Sequence, residues 1–315
     1  MDKLVSVWSK KQSIPENYIF PPETRPGKFI DAPPCNEIPV IDLSKTADNR
    51  TDTIQQIMQA SKEFGFFQVI NHGVSEKLMN DSMSMFKEVH GMAAEDKASL
   101  FSEDTSKTCR FYTSCTIYHP EAIHCWRDTL IHPCYPSEES MKLWTEKPTR
   151  YREVVGEYSA EVKKVASMIL ELICEGLGLE AGYFGDKLSE NGIMTVHHHP
   201  TYVIGLQVFK DEEWISVNPI PYAFVVNIGL VLQIISNNNL KSAEHRAVTN
   251  SKDARTSAAI FIAPTGDTIK EPARALTDET NPPIYKAFEY KEFRNTHTLA
   301  EGNTEMALAP YKLQA

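Results

Sequence analysis

The sequence lacks the features of several large classes of protein. No unbroken apolar run approaches the roughly 18 residues that a membrane-spanning helix needs, and the N-terminus carries no secretory signal pattern. The formal net charge is −10, from 32 Lys and Arg against 42 Asp and Glu. This charge argues against nucleic acid or an anionic membrane as a partner, because phosphate binding needs clustered positive charge. The six cysteines form no C-x-x-C pair, so we expect a cytoplasmic protein with reduced thiols.

Nucleotide-binding and serine-hydrolase motifs are also missing. Neither GxGxxG nor GxxxxGK occurs in the chain, and no GxSxG is present. Hydride transfer from a dinucleotide and serine-based hydrolysis therefore have no support. What remains is a chain of 315 residues, 42% apolar and 23% charged, which is the composition of an ordinary globular protein with a sizeable core.

Helical patterns dominate the first 190 residues. The prolines of residues 14–39 predict an extended arm. Apolar stripes with a helical period follow Asp52, Ser75 and Pro148, and they predict three helices that end near Gly65, His90 and Gly176. The stretch 100–150 predicts irregular structure with short strands. Two β-type runs, at 38–43 and 66–73, predict strands.

The pattern of residue types changes from Ile193 onward. Short runs rich in β-branched and aromatic residues alternate with Gly, Pro, Asn and Asp, which predicts an all-β sandwich or barrel. We therefore expect an α+β protein with a helical N-terminal region, 1–190, and a β-rich C-terminal region, 191–315. After Glu271 the pattern predicts a polar loop and one short helix near 290–293.

The most specific group of polar residues is His245 with Arg255 and Ser257. A histidine at a strand end can bind a transition metal. Residues two apart on a strand face the same side, and a guanidinium beside a hydroxyl suits a carboxylate. On residue type alone, a histidine without a metal is the commoner alternative for His245.

Three consecutive histidines, 197–199, precede Pro200. Strand alternation places His197 and His199 on one face and His198 on the other, so one face gains at most two metal ligands. A partly exposed strand end explains the run equally well. An H-x-E at His119 lies beside Pro120 and is interpreted as a chance match.

Aromatic residues in the irregular stretch are candidates for a ligand pocket. Tyr112, Tyr118 and Trp126 are the positions selected. Packing in the core is the commoner role of such side chains, so both interpretations stay open.

The order of the motifs resembles that of the plant iron(II)- and 2-oxoglutarate-dependent dioxygenases. The pieces occur as IPVIDL, EFGFFQVINHG, WRD, ICEGLGL, AFVVNIG, LQIISN, EHRAVT and RTSAAIF. The resemblance implies a double-stranded β-helix, or jelly roll, wrapped by N-terminal helices. It implies Fe(II), 2-oxoglutarate and ascorbate as cofactors, and a small specialised metabolite, such as an alkaloid, as the partner that is hydroxylated or otherwise oxidised with release of succinate and CO₂.

The resemblance also assigns roles to residues. His245 matches the distal histidine of the family's 2-His-1-carboxylate iron site. Arg255 and Ser257 match the R-x-S that holds the far carboxylate of 2-oxoglutarate. His197 and His199 stand at the positions of an N-x-Y whose side chains touch the same cosubstrate.

One family element is absent from the sequence. The H-x-D that supplies the other two iron ligands occurs nowhere in the chain, because HHHP and TYVI run directly into GLQVF. The missing stretch equals about two strands of 5–6 residues with their turns. We therefore expect a jelly roll shortened after Pro200, with unpaired strand edges, unless TYVI takes the place of one lost strand.

Three readings of the chain follow. It is an active dioxygenase in which His197 or His199 assists His245; or it is a catalytically inactive pseudoenzyme that binds a small molecule or a partner protein; or it is a truncated isoform or gene model without two iron ligands. The sequence defines no oligomeric state.

Overall fold

Both halves of the chain contain helices and strands. A computed structural model describes residues 4–8, 15–19, 21, 38–114, 124–135, 137–185, 188–199, 203–249, 254–299 and 303–313. The helices are α1 (Val5–Trp8), α2 (Arg50–Glu63), α3 (Glu76–Gly91), α4 (Ala94–Leu100), α5 (Ser137–Lys142), α6 (Tyr151–Gly176), α7 (Leu230–Ile235), α8 (Tyr290–Leu299) and α9 (Thr304–Leu308). The strands are β1 (Val40–Asp42), β2 (Phe66–Ile70), β3 (Arg110–Thr113), β4 (Asp128–Tyr135), β5 (Asn191–His199), β6 (Val203–Lys210), β7 (Glu213–Ser216), β8 (Phe224–Asn227), β9 (His245–Thr249), β10 (Arg255–Ala263), β11 (Ile269–Lys270) and β12 (Phe288–Glu289).

Local capping explains where the predicted helices begin and end. Helix α2 starts earlier than expected, because Asn49 caps it and Asp52 lies in its first turn. It ends at Gly65, whose φ of +64° suits glycine, and a Cβ there would meet Lys241 O at 2.5 Å. The Ser75 hydroxyl caps α3 as predicted. Most of the proline-rich stretch 14–39 lies outside the described residues.

The stretch 100–150 is more regular than predicted. It contains α4, α5, the short strand β3 and the eight-residue strand β4. Strand β4 is buried on both faces, and its register with β5 shifts between Pro133 and Tyr135. Burial on both faces removes the alternation that would have revealed a strand, and an internal proline argues against one.

The jelly roll is built from three antiparallel or mixed sheets. One has the order β10-β5-β4-β3, one has β7-β6-β9, and β8 pairs with β2 beside β1. The described part of 191–263 contains six strands, whereas a complete jelly roll has eight. Strands β2 and β4 of the N-terminal half pair with this region, so the expected loss of about two strands stays a prediction.

The shortening leaves unpaired edges. Strands β10, β8 and β9 each lie at the edge of their sheet, and Phe261 on β10 is 56% exposed while Val225 on β8 is 38% exposed. Val203 and Ile204 belong to β6, where Val203 pairs with Thr249 of β9 and the register shifts between Val203 and Gly205. The second half of TYVI is thus continuous with the GLQVF strand, and Thr201 and Tyr202 lie outside the described residues.

Two large apolar clusters lie on either side of α6. One joins α2 and α6 to β1 and β2, and the other joins α3 and α6 to β3, β4 and β5. A third cluster contains Tyr285, Phe288, Phe293 and Tyr311, so the C-terminal tail is a packed unit with α8 and α9, where the sequence predicted a loop and one short helix. Among the described helices, none has the length and apolarity that crossing a membrane requires.

Candidate functional site

The β4-β5-β10 sheet presents two different faces. In its register Thr129, His197 and Ser257 lie opposite one another, and His199 lies opposite Arg255. Because side chains alternate along a strand, all five share one face. The alternation expected from the sequence for the histidine pair and for Arg255 and Ser257 is thus present in the structure.

The second face of the same sheet belongs to the core. His198 lies there, with its Nδ1 3.1 Å from Thr256 Oγ1, and its ring stacks on that of His90 at 5.2 Å. His90 Nε2 is 3.0 Å from Val196 O. His198 is therefore a core histidine packed against α3.

His197 is half-buried among hydroxyl groups. Its Nδ1 is 3.0 Å from Thr129 Oγ1, and its Nε2 is 3.1 Å from Thr195 Oγ1. Burial, together with the charges of Arg127 and Arg255, lowers its pKa to about 3. The ring is uncharged at neutral pH, and both nitrogens already have partners, so neither is directed at a metal.

His199 is 5% exposed and has an unsatisfied nitrogen. Its Nδ1 is buried and has no hydrogen-bond partner among the described residues. Burial, with the charges of Arg127 and Arg255, lowers its pKa to about 4, although a hydrogen bond to the Trp126 backbone opposes this. A buried polar atom without a partner is costly. Because the neutral ring gives its one N–H to the Trp126 backbone carbonyl, Nδ1 carries a lone pair, and only a donor such as a hydroxyl would satisfy it.

Arg255 and Ser257 form a ready clamp. Arg255 Nη1 donates to Ser257 Oγ at 3.3 Å, and both residues are half-buried. Burial lowers the pKa of Arg255, yet a guanidinium stays charged at neutral pH. No carboxylate of the described residues pairs with it. The pair is suited to accept a ligand carboxylate.

Arg127, which the sequence analysis did not select, lies beside this clamp. Its Nε donates to Ser114 O at 3.3 Å, and its backbone carbonyl accepts from Ser114 N at 3.0 Å. Its charge acts on both His197 and His199. The only sequence signal was its place in WRD, which carried the resemblance and no role for the arginine.

His245 lies in the other sheet. It pairs with Val208 of β6, its side chain is exposed, and Nδ1 donates to Ala243 O at 3.1 Å. A carbonyl oxygen only accepts, so this bond leaves Nε2 as the nitrogen with a free lone pair. The role of His245 as a metal ligand stays a prediction.

The three aromatic pocket candidates have different surroundings. Tyr112 lies opposite Thr129 on β3, on the face of His197, and the Arg110 guanidinium sits 4.6 Å from its ring centre. Trp126 is buried and meets the Tyr18 ring edge-on at 5.1 Å. Tyr118 lies outside the described residues.

The residues present fit 2-oxoglutarate and do not fit iron. No H-x-D occurs in the sequence, and no three His, Cys, Asp or Glu side chains of the described residues come together as a metal site. The His119 H-x-E lies outside that part of the chain. One imidazole without a carboxylate is not a facial iron site, whereas Arg255 and Ser257 suit a ligand carboxylate.

Comparison with known proteins places the chain in a family. Residues 38–155 match the model for the non-haem dioxygenase in morphine synthesis N-terminal domain, and residues 186–264 match the 2OG-Fe(II) oxygenase superfamily. Hyoscyamine 6-dioxygenase of Hyoscyamus niger is 36% identical, with 99% of both chains aligned. Protein DOWNY MILDEW RESISTANCE 6 of Arabidopsis thaliana is 39% identical over 92% of this chain and 93% of its own.

A solved structure agrees with these matches. The crystal structure of JOX2 in complex with 2OG, Fe and JA has a TM-score of 0.81 and 28% identity, covering 93% of this chain and 92% of JOX2. The chain therefore belongs to the 2OG-Fe(II) oxygenase superfamily, among the plant dioxygenases that act on small specialised metabolites with Fe(II) and 2-oxoglutarate. The predicted family and jelly-roll fold are confirmed.

The alignment also shows the shortening. The match to hyoscyamine 6-dioxygenase runs over 348 positions, 33 more than the 315 residues of this chain. At least 33 aligned positions thus have no residue here. The lack of H-x-D in the sequence agrees with this shortfall.

Proposed function

We propose that the chain binds 2-oxoglutarate on the face of the β4-β5-β10 sheet that carries Arg255 and Ser257. The observation that carries the proposal is a half-buried guanidinium, held to a hydroxyl at 3.3 Å, with no carboxylate partner in the described part of the chain. A partly desolvated cation without a counter-ion is unfavourable. A ligand carboxylate relieves this cost and makes two parallel hydrogen bonds to the guanidinium.

The neighbouring histidines complete the binding surface. His197 and His199 are both uncharged at neutral pH, since their pKa values are lowered to about 3 and about 4. The His197 ring is held by two threonine hydroxyls, so its orientation at the binding surface is fixed. His199 adds a buried, uncharged ring beside the clamp. Each ring replaces a side chain that touches the cosubstrate in the family.

We further propose a small specialised metabolite, of the alkaloid class, as the second ligand. The 36% identity with hyoscyamine 6-dioxygenase over 99% of this chain supports the class. Tyr112 lies on the same sheet face as His197, and Trp126 contacts His199 through its backbone. These two aromatic residues are our candidates for the wall that a substrate ring would meet.

Oxygenase turnover is the second candidate function. Similarity to dioxygenases in both halves of the chain favours it. It requires iron to be held by His245 together with His197 or His199, and the two threonine contacts of His197 oppose that arrangement. Iron-dependent succinate release separates this candidate from binding alone.

Calorimetric titration with 2-oxoglutarate in EDTA tests the first proposal. Loss of a charge-assisted hydrogen-bond pair costs about 1.5–3 kcal/mol, so Arg255→Gln should weaken binding by about 10–100-fold. Arg274→Gln is the matched control, because the Arg274 side chain is 93% exposed. Absence of 2-oxoglutarate binding in the unmodified chain would refute the proposal.

Succinate release with Fe(II), ascorbate and 2-oxoglutarate tests the second candidate. The same assay on a chain carrying a relative's H-x-D segment after Pro200 serves as the positive control. Succinate from the unmodified chain, lost in His245→Ala, supports turnover. Succinate only after insertion of the segment excludes turnover by the shortened chain.

A further inference from the structure

We propose that Arg127 is a second cationic anchor of this site and binds the carboxylate beside the keto group of 2-oxoglutarate, so that the dianion is held without a metal ion. The inference rests on the proposed function, because it assigns the opposite carboxylate to Arg255. It gives a role to a residue that the sequence analysis passed over.

The strand register places Arg127 level with the clamp. Asp128 pairs with His198, and His199 pairs with Arg255. Continuing the antiparallel pairing by one residue sets Arg127 opposite His199. Arg127, His199 and Arg255 then form one row across three strands. At about 4.8 Å per strand, the two arginine backbones stand about 10 Å apart.

Both arginines face the same surface. Arg127 and Thr129 are two residues apart, as are Arg255 and Ser257, and Thr129 and Ser257 flank His197. The charge of each arginine lowers the pKa of both His197 and His199, which agrees with this shared face. The row therefore has a cation at either end and an uncharged ring between them.

No carboxylate of the described residues neutralises either cation. The adjacent Asp128 is occupied elsewhere, because its two oxygens accept from the backbone N–H groups of Val5 and Ser6 at 2.8 Å. Among the described residues, the Arg127 side chain donates to the Ser114 carbonyl, and the Arg255 side chain donates to the Ser257 hydroxyl. Two half-buried positive charges that no described carboxylate neutralises suit a ligand with two negative charges.

The length of 2-oxoglutarate agrees with this spacing. Its carboxylates stand at the two ends of a five-carbon chain, and two arginine side chains reaching inward from backbones about 10 Å apart can meet both ends. His199 lies between them as a buried, uncharged ring. The described residues thus offer a partner to each charged end, although they offer no site for iron.

Titrations of the metal-free chain in EDTA test Arg127. The probes are 2-oxoglutarate and 4-oxopentanoate, which lacks only the carboxylate beside the ketone. We expect 2-oxoglutarate to bind at least 10-fold more tightly. In Arg127→Gln that preference should disappear, through weaker binding of 2-oxoglutarate and unchanged binding of 4-oxopentanoate. Arg127→Lys should keep part of the preference, and Arg274→Gln should keep all of it.

The outcomes separate this inference from the proposed function. If Arg255→Gln weakens both probes while Arg127→Gln binds 2-oxoglutarate as tightly as the unmodified chain, the Arg127 inference is wrong and the proposed function stands. If neither probe binds the unmodified chain, the proposed function is wrong as well. A series of malonate, succinate, glutarate and adipate needs no variant: two fixed cations predict a length optimum, and affinity independent of length overturns the inference.

Discussion

Replacing Asp128 by Asn should destabilise the protein through the N-terminal segment. Asp128 is fully buried at the start of β4. Its Oδ1 accepts from Val5 N at 2.8 Å and from Thr113 Oγ1 at 3.1 Å, and its Oδ2 accepts from Ser6 N at 2.8 Å. An asparagine keeps one acceptor oxygen but turns an NH₂ group towards the Ser6 N–H, so that two donors face each other.

The magnitude follows from these contacts. A hydrogen bond to a charged group contributes about 1.5–3 kcal/mol, and a buried donor left without an acceptor costs about 1–3 kcal/mol. Because the remaining oxygen keeps two of the three bonds in weaker form, we expect Asp128→Asn to lower the free energy of unfolding by about 3 kcal/mol. At about 2–4 °C per kcal/mol for a protein of this size class, the Tm should fall by about 6–12 °C.

Urea unfolding followed by far-ultraviolet circular dichroism measures this effect. Asp104→Asn is the matched control: Asp104 also accepts from a backbone N–H and a hydroxyl, both of Ser106 at 2.9 and 2.7 Å, but it is exposed. We expect the control to change stability by less than about 0.5 kcal/mol. Equal stability of the two variants would show that the buried carboxylate does not hold residues 5 and 6 against β4.

Three further predictions concern residues outside the site. Lys270→Met should stabilise the fold by about 1–3 kcal/mol, because its buried Nζ has no partner in the described residues and burial lowers its pKa to about 8. Lys97→Met is the control: the Lys97 Nζ donates to a backbone carbonyl at 2.9 Å, so this change should lower the Tm of the protein. An equal rise in Tm for both variants would contradict the reasoning. Burial lowers the pKa of His132 to about 4, so the unfolded chain binds a proton first as pH falls from about 6.5 to 4, and stability falls in that window. His132→Gln should reduce the slope of unfolding free energy against pH there by up to about 1.4 kcal/mol per unit, and an unchanged slope would exclude this histidine. Phe261→Lys should reduce self-association in sedimentation velocity without loss of Tm, because it places a charge on the exposed edge strand β10; a fall in Tm would mean that Phe261 packs in the fold.

The predictable part of the fold is the part fixed by local sequence. Helices α2, α3 and α6 carry their apolar stripes and their start or stop residues within one segment. Strand β4 was not foreseen, because it is buried on both faces and contains Pro133. The packed C-terminal tail was missed for a related reason: Tyr285 and Tyr311 lie far apart in sequence and meet only in the fold.

The candidate site was also predictable only where local sequence determines it. Alternation along one strand was enough to put His197 beside His199, and Arg255 beside Ser257, on shared faces. It could not show that β5 pairs with β10 in the register that joins the two pairs. The role of Arg127 could not be predicted from the sequence, because its position opposite His199 depends on the pairing of β4 with β5. Those strands are separated by more than fifty residues that include α6.

The proposed carboxylate site and the predicted metal ligand lie on different strands. The proposed site is on β4, β5 and β10, which pair directly with one another. The predicted ligand His245 is on β9, in the sheet with β6 and β7, and the sequence contains no H-x-D. We therefore expect cosubstrate binding and iron binding to be separable in this chain, because they depend on different strands. A chain that keeps the first set of strands can retain a carboxylate site of ordinary affinity without a complete set of metal ligands.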